Sequence, residues 1–472
     1  MSSVLNHQLF GSVSDQAVTP PGGYWFTEVS RPNATYYGFG IAQNKNIIAF
    51  TKSVVFTTSV VVMDVNSGNI ISEFDLTIPD TGAIYSRLRP YDVAIDDERN
   101  IYVSCTTDGI SGTGVLAKFD ISGNLLFSTT TSGYGLNKIT LDHNGDIICS
   151  VLSNRTFLKF DRNSGNPIAS SDIQIPLGGQ ASFKAIAIGK SNNSMFYAGR
   201  EELLTGGVKT YRLHIEQRNL GTGQSIFSGS GAWNKSYERQ VNGVIAEFTG
   251  HINKLIHDNV NDVLYAFGYV AVNDLQNRQG MIMKIDATNG NLLASKIVGS
   301  PNTNYTREFS DGVIGTDGSL YMSGFDHVAG TGIYAGVQVV NNTSIFKIDT
   351  TTLDPIWEYA TLPTTRITDY AHLVLTDYNE PILMTWAVPT SNDVLIKIDP
   401  NASITNGGTI NLARINPPSS GTTTFASYGM VLNTQASSTG GNFVPNPDPN
   451  LTVTASIQST PLTTRVSPFA LV

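Results

Sequence analysis

Three aspartates, Asp92, Asp311 and Asp369, are candidates for acid–base chemistry in this sequence. Glycoside-hydrolysing enzymes use two carboxyl groups, one as a general acid and the other as a base or nucleophile. Each aspartate stands at or just before the start of a short apolar run, YDVAI, SDGVI or TDYAHLVL, which is typical of a β-strand. We therefore take these three residues as candidate catalytic carboxylates. The reaction also requires a set distance between them, which a sequence does not contain.

A second candidate site is the segment DHNGD at 142–146. Asp142, Asn144 and Asp146 have the alternating oxygen ligands with which a calcium loop begins, but the glutamate that completes such a loop is missing. The segments TDG at 316–318 and TDYNE at 376–380 hold the same place elsewhere in the chain. We interpret all three as turns, with calcium at Asp142 as the alternative. No other cofactor is expected.

A recurring phrase, an apolar residue followed by Lys, Phe or Ile, and Asp, is the third candidate. It places a lysine two residues before an aspartate, as a catalytic pair would. Two residues that far apart share one face of a strand, so they can equally pair with each other or with the next repeat. An aspartate that opens a turn is also expected, because its side chain accepts backbone amides. We interpret the phrase as structural. Its lysines are Lys118, Lys159, Lys284, Lys347 and Lys397, and its aspartates are Asp120, Asp161, Asp286, Asp349 and Asp399, with a variant at Asp64.

Several function classes lack their motifs. The histidines form no HExxH, and neither a GxSxG elbow, a phosphate loop nor a dinucleotide fingerprint occurs. Charged residues make up 14% of the chain and are scattered, with a net charge of −9. Binding to nucleic acid or to an anionic membrane would need a concentrated basic patch. No run approaches the roughly 18 apolar residues of a membrane span.

The elements that must position these residues are β-hairpins. Turns such as NSGN at 66–69 and TNGN at 288–291 follow the recurring aspartates, and Ser-Gly or Asn-Gly supplies the backbone angles that tight hairpins require. A second hairpin, such as YDVAIDDERNIYVSC at 91–105, precedes each one, and seven such segments occur. The aspartates recur about every 56 residues between Asp64 and Asp399. Four antiparallel strands at a period near 50 residues are the signature of a β-propeller blade.

The sequence therefore predicts an all-β propeller of four-stranded antiparallel blades. We favour seven blades closed by the chain termini, with eight as the alternative if both terminal strand pairs form a blade of their own. Residues 1–35 are expected to be closing strands and an arm, 36–413 the repeats, and 414–472 closing strands and an extended C-terminal arm. Within the last region, 424–433 resembles an innermost strand, and the final residues could strap onto a neighbouring subunit.

Two departures from the repeat stand out. The fourth unit has YRLHIEQRNLGTGQSIFS at 211–228 where the Lys-Phe-Asp phrase should be. Extra residues in other units fall between the second and third strands, as in TTDGISGTG at 106–114 and FDHVAGTGIYAGVQVVNN at 325–342. Insertions at one place in each repeat map to one face of the disc, so we expect binding on that face.

The phrases IxxDxxG(N/D)IYVS and VxK(F/I)DxxGN resemble the blades of the bacterial and viral β-propeller repeat family with SBBP- or NHL-like units. The resemblance covers residues 36 to about 413. It implies the propeller architecture. It implies little about activity, because propellers of this outline serve as enzymes, ligand binders and interaction platforms.

Cys105 and Cys149 lie in apolar runs and are expected to be buried free thiols. The N-terminal residues lack the pattern of a secretory signal. The hypothesis that follows is a non-enzymatic structural and binding protein of a virus particle, in the tail, fibre or decoration apparatus of a tailed phage. It would be made in the host cytoplasm and would bind virion or surface proteins and host surface polysaccharide, within a larger assembly. The alternatives are a secreted or surface bacterial propeller, either a carbohydrate-active enzyme or an adhesin, and an intracellular scaffold.

Overall fold

The structure, a computed structural model, is all-β. It describes residues 25–30, 38–54, 57–77, 88–107, 113–131, 134–151, 156–172, 181–190, 194–205, 208–218, 233–241, 244–245, 248–272, 278–298, 305–328, 342–361, 366–388, 392–399, 404–407, 410–415, 425–426, 430–433, 454–457 and 463–468. Its strands form seven antiparallel sheets. Each sheet is one blade of a seven-bladed β-propeller, which confirms the fold class and the blade number expected from the sequence.

Blades 1 to 3 follow one another along the chain, after a first strand, β1 (Trp25–Ser30), that belongs to the last blade. Blade 1 consists of β2 (Gly38–Asn44), β3 (Ile47–Val54), β4 (Thr57–Asp64) and β5 (Ile70–Thr77). Blade 2 consists of β6 (Leu88–Ile95), β7 (Ile101–Thr107), β8 (Gly114–Phe119) and β9 (Leu125–Thr131). Blade 3 consists of β10 (Leu136–Leu141), β11 (Ile147–Val151), β12 (Thr156–Phe160) and β13 (Pro167–Asp172).

Blades 4 to 6 repeat this pattern. Blade 4 consists of β14 (Ala181–Ile188), β15 (Met195–Thr205), β16 (Val208–Arg218) and β17 (Asn234–Val241), with the short β18 (Val244–Ile245) paired to β17. Blade 5 consists of β19 (Phe248–Asp258), β20 (Val263–Val272), β21 (Arg278–Asp286) and β22 (Leu292–Val298). Blade 6 consists of β23 (Tyr305–Ile314), β24 (Leu320–Val328), β25 (Asn342–Ile348) and β26 (Pro355–Thr361).

Blade 7 closes the ring with strands from both ends of the chain. Its three inner strands are β27 (Arg366–Leu375), β28 (Pro381–Val388) and β29 (Asn392–Lys397), and β1 pairs antiparallel with β29 as the fourth. Among the innermost strands, each packs against the next, and β27 packs against β2. The N-terminal strand therefore completes the last blade, which is the exchange of one strand that distinguishes seven blades from eight.

The hydrophobic core lies between the blades. Each sheet buries apolar side chains on both faces, because alternate residues of a strand point to opposite sides. A separate cluster fills each of the seven junctions between neighbouring blades. At the closing junction, Trp25 and Val29 of β1 pack with Phe50 and Met63 of blade 1. Cys105 and Cys149 are buried free thiols in two of these clusters, as expected.

The closing strand is held by a turn of the first blade. The indole Nε1 of Trp25 donates a hydrogen bond to the Val65 carbonyl at 2.8 Å. Thr27 Oγ1 donates to the Gly68 carbonyl at 2.9 Å. Gly68 has a φ of +70°, and a Cβ atom there would lie 2.6 Å from the Trp25 ring. Glycine is therefore needed at Gly68 both for the turn and for the close approach of the closing strand.

Short C-terminal strands, which we call the outer belt, pair with the outer edges of the blades. They are β30 (Ile404–Gly407), β31 (Ile410–Ile415), β32 (Phe425–Ala426), β33 (Met430–Asn433), β34 (Thr454–Ile457) and β35 (Thr463–Pro468). The segment β30–β31 joins blade 6, β32 joins blade 5, β33 joins blade 4, β34 joins blade 1, and β35 pairs with β1 in blade 7. The belt thus visits the blades in reverse order around the ring.

This arrangement differs from two sequence expectations for the C-terminal region. Residues 424–433 resemble an innermost strand, but β32 and β33 pair with outermost strands. The C-terminal residues 463–468 pair with the chain's own β1. Blade edges carry unpaired amide and carbonyl groups, and an added strand satisfies them. Local sequence pattern cannot tell an inner strand from an outer one.

Two remaining expectations concern the connections. The insertions fall between the second and third strands as predicted, but residues 108–112, 273–277 and 329–341 lie outside the described part of the chain, as does the face on which binding was expected. In blade 4 the fourth strand is β17, and residues 225–228 lie outside the described part. Across the described residues, no helix has the length and apolar character that a membrane span requires.

Candidate functional site

A cavity of about 500 Å³ lies in the central channel of the propeller. All seven innermost strands line it: β2, β6, β10, β14, β19, β23 and β27. Both polar and apolar side chains face the channel, because each strand edge exposes residues from both faces of its blade. This is where the architecture brings together residues that are far apart in sequence.

One position on each innermost strand defines a ring around the channel. It lies four residues before the residue that opens the strand's hairpin turn, and we call the seven positions the channel ring. Its members in chain order are Gly40, Asp92, Lys138, Ala185, Lys254, Asp311 and His372. Two acids, two lysines and a histidine therefore meet at one level, although about 50 residues separate neighbours in sequence.

A backbone irregularity accompanies the ring in every blade. Each innermost strand shifts register against its neighbour at this level, for example between Pro90 and Asp92 and between Phe309 and Asp311. The other innermost strands shift at the corresponding place. Bulges re-aim side chains and are frequent beside functional sites. Here they turn the ring residues toward the channel and the next blade.

Asp311 is the centre of one polar cluster. Its Oδ1 lies 2.8 Å from Lys254 Nζ of the preceding blade, and its Oδ2 lies 3.7 Å from His372 Nδ1 of the following blade. The backbone N–H groups of Gly312 and Leu373 donate to the same carboxylate at 2.8 and 3.2 Å. One carboxylate thus connects three consecutive blades.

This cluster favours fully charged side chains. Burial alone would raise the pKa of Asp311, but Lys254 and His372 outweigh it and hold that pKa well below its usual range. Burial alone would lower the pKa of Lys254, but Asp311, with a smaller contribution from Asp92, raises it. Asp92 therefore lies close enough to act on Lys254 electrostatically. The ion pair stays intact at neutral pH.

Asp92 forms a similar cluster with the next blade. Its Oδ1 lies 3.7 Å from Lys138 Nζ, and its Oδ2 accepts a hydrogen bond from the Ile139 amide at 3.2 Å. On the other side, a Cβ atom at Gly40 would lie 2.7 Å from Asp92 Oδ1. Glycine on blade 1 therefore leaves the space that the Asp92 side chain occupies.

The structure places two of the three candidate carboxylates in the channel and does not describe the side chain of the third. Asp92 and Asp311 both line the channel. Asp369 lies in β27 within its irregularity between Thr368 and Ala371, and its side chain is outside the described part. A general acid must carry a proton near the working pH. Asp311, with its lowered pKa, does not meet this requirement, and Asp92 is held by Lys138. The cluster is suited to binding charged groups.

The candidate calcium ligands lie in the turn between β10 and β11. Asp142 Oδ1 accepts hydrogen bonds from the amides of Asn144 and Asp146 at 2.8 and 2.9 Å. Lys159 Nζ lies 2.8 Å from Asp142 Oδ2 and 3.1 Å from Asp146 Oδ2. Burial alone would lower the pKa of Lys159, and the two carboxylates raise it. An ammonium group therefore stands between the carboxylates that a cation would bridge. Calcium at this turn stays a prediction.

The recurring lysines contact the innermost hairpin turn rather than the aspartate two residues later. Four of them reach an acidic side chain of that turn in their own blade, at 2.8 to 3.9 Å: Lys118 with Asp96, Lys159 with Asp142 and Asp146, Lys347 with Asp317, and Lys397 with Glu380. Lys284 instead donates to the Thr350 carbonyl of the next blade at 2.8 Å. The lysine thus ties the third strand to the inner turn.

The recurring aspartates open the outer turns. Asp120 Oδ1 accepts from the amides of Ser122 and Asn124, each at 2.9 Å, and Asp349 Oδ1 accepts from those of Thr351 and Thr352 at 2.7 and 2.9 Å. Corresponding contacts occur at Asp64, Asp161 and Asp286. Backbone donors stabilise the charged form, so the pKa of Asp349 is lowered. The phrase is structural, as interpreted from the sequence.

Blade 4 carries opposite charges at the two positions of the recurring phrase, and there the two side chains pair with each other. Glu216 pairs across the sheet with Tyr197, just as Lys118 pairs with Tyr102 in blade 2. Glu216 therefore holds the place of the recurring lysine, and Arg218 holds that of the aspartate. The two form a buried ion pair with each other. The sequence HIEQR contains this reversed phrase, which the search for Lys-Phe-Asp misses.

Sequence reasoning missed Lys138, Lys254 and His372 of the channel ring. A signal for the lysines exists: LNKI at 136–139 and INKL at 252–255 are alike and hold the same place in their blades. Aligning the seven inner hairpins on their turns would have placed both lysines at the level of Asp92 and Asp311. The histidine at this level has no motif that marks it.

No known protein family matches the sequence, and no curated protein matches it. Similar solved structures include a streptogramin B lyase, 14% identical, with a TM-score of 0.44, covering 80% of this chain and 98% of that chain. Another is the Dos1 propeller, 10% identical, with a TM-score of 0.44, covering 79% of this chain and 94% of that chain. A third is the WD40 domain of Toxoplasma gondii coronin, 9% identical, with a TM-score of 0.45 and coverages of 86% and 90%. The seven-bladed fold rests on the sheets of the chain itself.

Proposed function

We propose that this chain is a non-enzymatic binding protein that uses its propeller as a platform for other proteins. More specifically, we propose a structural protein of a virus particle, in the tail, fibre or decoration apparatus of a tailed phage, with blades of the SBBP- or NHL-like kind. The localisation would be the virion, after synthesis in the host cytoplasm. Neighbouring virion proteins and host surface polysaccharide would be its partners.

The observation that carries the proposal is a row of exposed apolar side chains around the rim. Five blades expose a large aliphatic residue at the second position of the outermost strand, with 47 to 53% of its surface accessible: Ile71, Leu126, Ile168, Leu293 and Ile356. Single exposed apolar residues are ordinary on protein surfaces. Recurrence at one equivalent position supports a surface that a partner covers repeatedly.

The outer belt leaves this row uncovered. Strand β34 pairs with residues 74–77 of β5, and Ile71 lies before them. Strand β31 pairs with residues 358–361 of β26, and Ile356 lies before them. Strand β32 pairs with Val298 and Ile297, beyond Leu293. In these three blades, within the described part of the chain, the belt strand covers one end of the outer strand and the apolar end remains exposed.

Closure without disulfides is compatible with a role outside a cell. The ring is locked by β1 in blade 7 and by the belt strands, whereas both cysteines are buried free thiols. Small extracellular domains depend on disulfides when their core is insufficient. A large ring with seven buried junctions does not need them. Such a protein suits a particle that persists after the cell has lysed.

The use of the channel carboxylates supports binding rather than hydrolysis. Asp92 and Asp311 are each held by a lysine and by backbone amides of the next blade. A glycosidase of the kind considered from the sequence needs one carboxyl group that is protonated near neutral pH. The contacts of Asp311, whose pKa is lowered, do not favour that state.

The first experiment looks for the chain in particles. Phage particles purified by density gradient from the biological source of the gene should contain the chain in stoichiometric copies by quantitative mass spectrometry. A Leu126→Lys, Leu293→Lys double variant should fold but be lost from the particles, because a charge cannot be buried in an apolar contact. Val260→Lys is the matched control, since Val260 is 78% exposed but lies on an inner turn away from the rim.

Two outcomes would overturn the proposal. One is recovery of the chain only in cell-surface or soluble fractions, with none in particles. The other is cleavage of host surface polysaccharide by the purified protein that Asp92→Asn or Asp311→Asn abolishes, which would favour the carbohydrate-active alternative. Retention of the polysaccharide without a change in its chain length is the expected result.

A further inference from the structure

We propose that the central channel binds the oxyanion group of a small ligand between Lys138 and Lys254. These residues occupy the channel ring on blades 3 and 5, on either side of blade 4. Strands β10, β14 and β19 pack side by side, so the two lysines flank a single intervening strand. This binding site is independent of the proposed role in a virus particle.

Among the two described ion pairs of the channel ring, the lysines are more exposed than the aspartates. The Lys254 side chain is 41% exposed and that of Lys138 is 29% exposed, whereas Asp311 and Asp92 are 8% and 15% exposed. The carboxylates are turned toward the backbone of the next blade, and the ammonium groups remain accessible to solvent in the channel. A ligand that enters the channel therefore meets cations first.

Each ammonium group keeps donors for a ligand. Within the described part of the chain, Lys254 has Asp311 as its ion-pair partner and Lys138 has Asp92. An ammonium group has three N–H donors, so one carboxylate leaves others unused. The two aspartates hold the lysine stems in place on opposite sides of the site. An oxyanion with several acceptor oxygens can bridge both lysines at once.

Blade 4, which lies between the two lysine-bearing blades, carries small residues on its innermost strand. The ring position on β14 is Ala185, which is 2% exposed and packs in the hydrophobic cluster between blades 4 and 5, so this strand carries no long side chain at the level of the two lysines. Two residues further along the same strand, Ala187 is also small. The channel volume of about 500 Å³ accommodates a phosphate or a small acid. Electrostatic attraction is stronger in such a cleft, because low-dielectric walls focus the field.

Phosphate and acetate are the probes for the test. Binding is followed by ³¹P line broadening for phosphate and ¹³C line broadening for labelled acetate, with ionic strength held constant by sodium chloride. We expect saturable binding of phosphate by the wild type, and weaker binding of acetate, because phosphate carries more charge and more acceptor oxygens. Lys254→Met and Lys138→Met should each weaken phosphate binding at least about tenfold, a loss of about 1.4 kcal/mol.

Lys347→Met is the matched control, because Lys347 is an ion-paired lysine outside the channel whose side chain is 21% exposed. It should bind phosphate as the wild type does. Lys254→Arg keeps the charge and should retain binding within a few fold, which separates loss of charge from loss of folding. Absence of saturable phosphate and acetate binding in the wild type would overturn the proposal. Equal affinities in the wild type, Lys254→Met and Lys138→Met would also overturn it.

Discussion

Lysines occur at two positions in the blades, on the third strand and on the channel ring, and the two positions differ in how far the lysine is buried. At the outer position, on the third strand, the lysine usually pairs with an acidic side chain of the inner turn. Lys397, for example, is buried against Glu380, and both side chains are at most 2% exposed. At the inner position, on the channel ring, the blades carry different residues, and Lys254 is 41% exposed although its ion-pair distance is the same 2.8 Å. One contact serves the fold, and the other faces a cavity.

The difference gives a criterion for repeat proteins. A residue type that recurs at one position performs a task that each repeat needs, such as tying a strand to a turn. A position whose residue differs from blade to blade, from glycine to aspartate to lysine, is not needed for the structure of every blade. In a propeller the varied position that lies on the channel is therefore the better place to look for ligand binding.

The largest effect is expected at the buried outer lysine. Lys397→Met should lower the free energy of unfolding by about 3 to 5 kcal/mol, because it leaves the Glu380 carboxylate buried without its cation. Urea denaturation measures the change. Lys347→Met is the control and should cost at most about 1 kcal/mol, since that pair is partly exposed to solvent. Equal losses in the two variants would contradict the comparison.

A turn glycine next to the closing strand gives the second prediction. Gly68→Ala should cost about 1 to 3 kcal/mol more than Gly318→Ala, because the new methyl group overlaps the Trp25 ring. Both glycines have a positive φ, of +70° and +74°, but nothing lies within 4 Å of a Cβ atom at Gly318. Thermal unfolding with Trp fluorescence measures both variants. Similar losses would show that Gly68 acts through its backbone angle alone.

The channel carboxylate gives a smaller effect that depends on pH. Asp311→Asn should cost about 2 kcal/mol at pH 7, the value of charge-assisted hydrogen bonds. The folded-state pKa of Asp311 is lowered, so its contribution is present above the unfolded pKa of about 4 and is lost as pH falls through the folded pKa. The stability gap between wild type and variant should therefore narrow below about pH 4 in melting curves. The exposed Asp377→Asn is the control, and a gap that is constant from pH 7 to pH 3 would contradict the prediction.

The smallest effect on stability is expected at the exposed inner lysine. Lys254→Met should lower the free energy of unfolding by about 1 kcal/mol, because the Lys254 ammonium group is 41% exposed and the buried Asp311 carboxylate keeps two backbone amides and His372 as partners. The same variant should lose phosphate binding. A stability loss as large as that of Lys397→Met would mean that both lysines serve the fold, and the contrast between the two positions would fail.

The repeat could be predicted from sequence because its signals are local. Alternating apolar residues and turns such as NSGN act within one hairpin, so LAKFD and FLKFD each indicate a strand and its turn without any tertiary knowledge. Asp92 and Asp311 could be placed at the channel for the same reason, since each lies in the first strand of its unit. Aligning the inner hairpins could also have placed Lys138 and Lys254, but their pairing with Asp92 and Asp311 could not be predicted, because those partners lie in other blades. No motif marks His372.

What the sequence by itself determined is the repeating four-stranded blade, its turns and the structural role of the Lys-Phe-Asp phrase, with seven blades favoured over eight. Only the tertiary structure decided that β1 completes blade 7, that the C-terminal strands pair with the chain's own outer edges, and that two aspartates, two lysines and a histidine meet in one ring. The physical reason is the range of the interactions. A hairpin is specified by neighbouring residues, whereas edge pairing and the channel ring join residues separated by tens to hundreds of positions, and no local pattern encodes which strand will lie beside which.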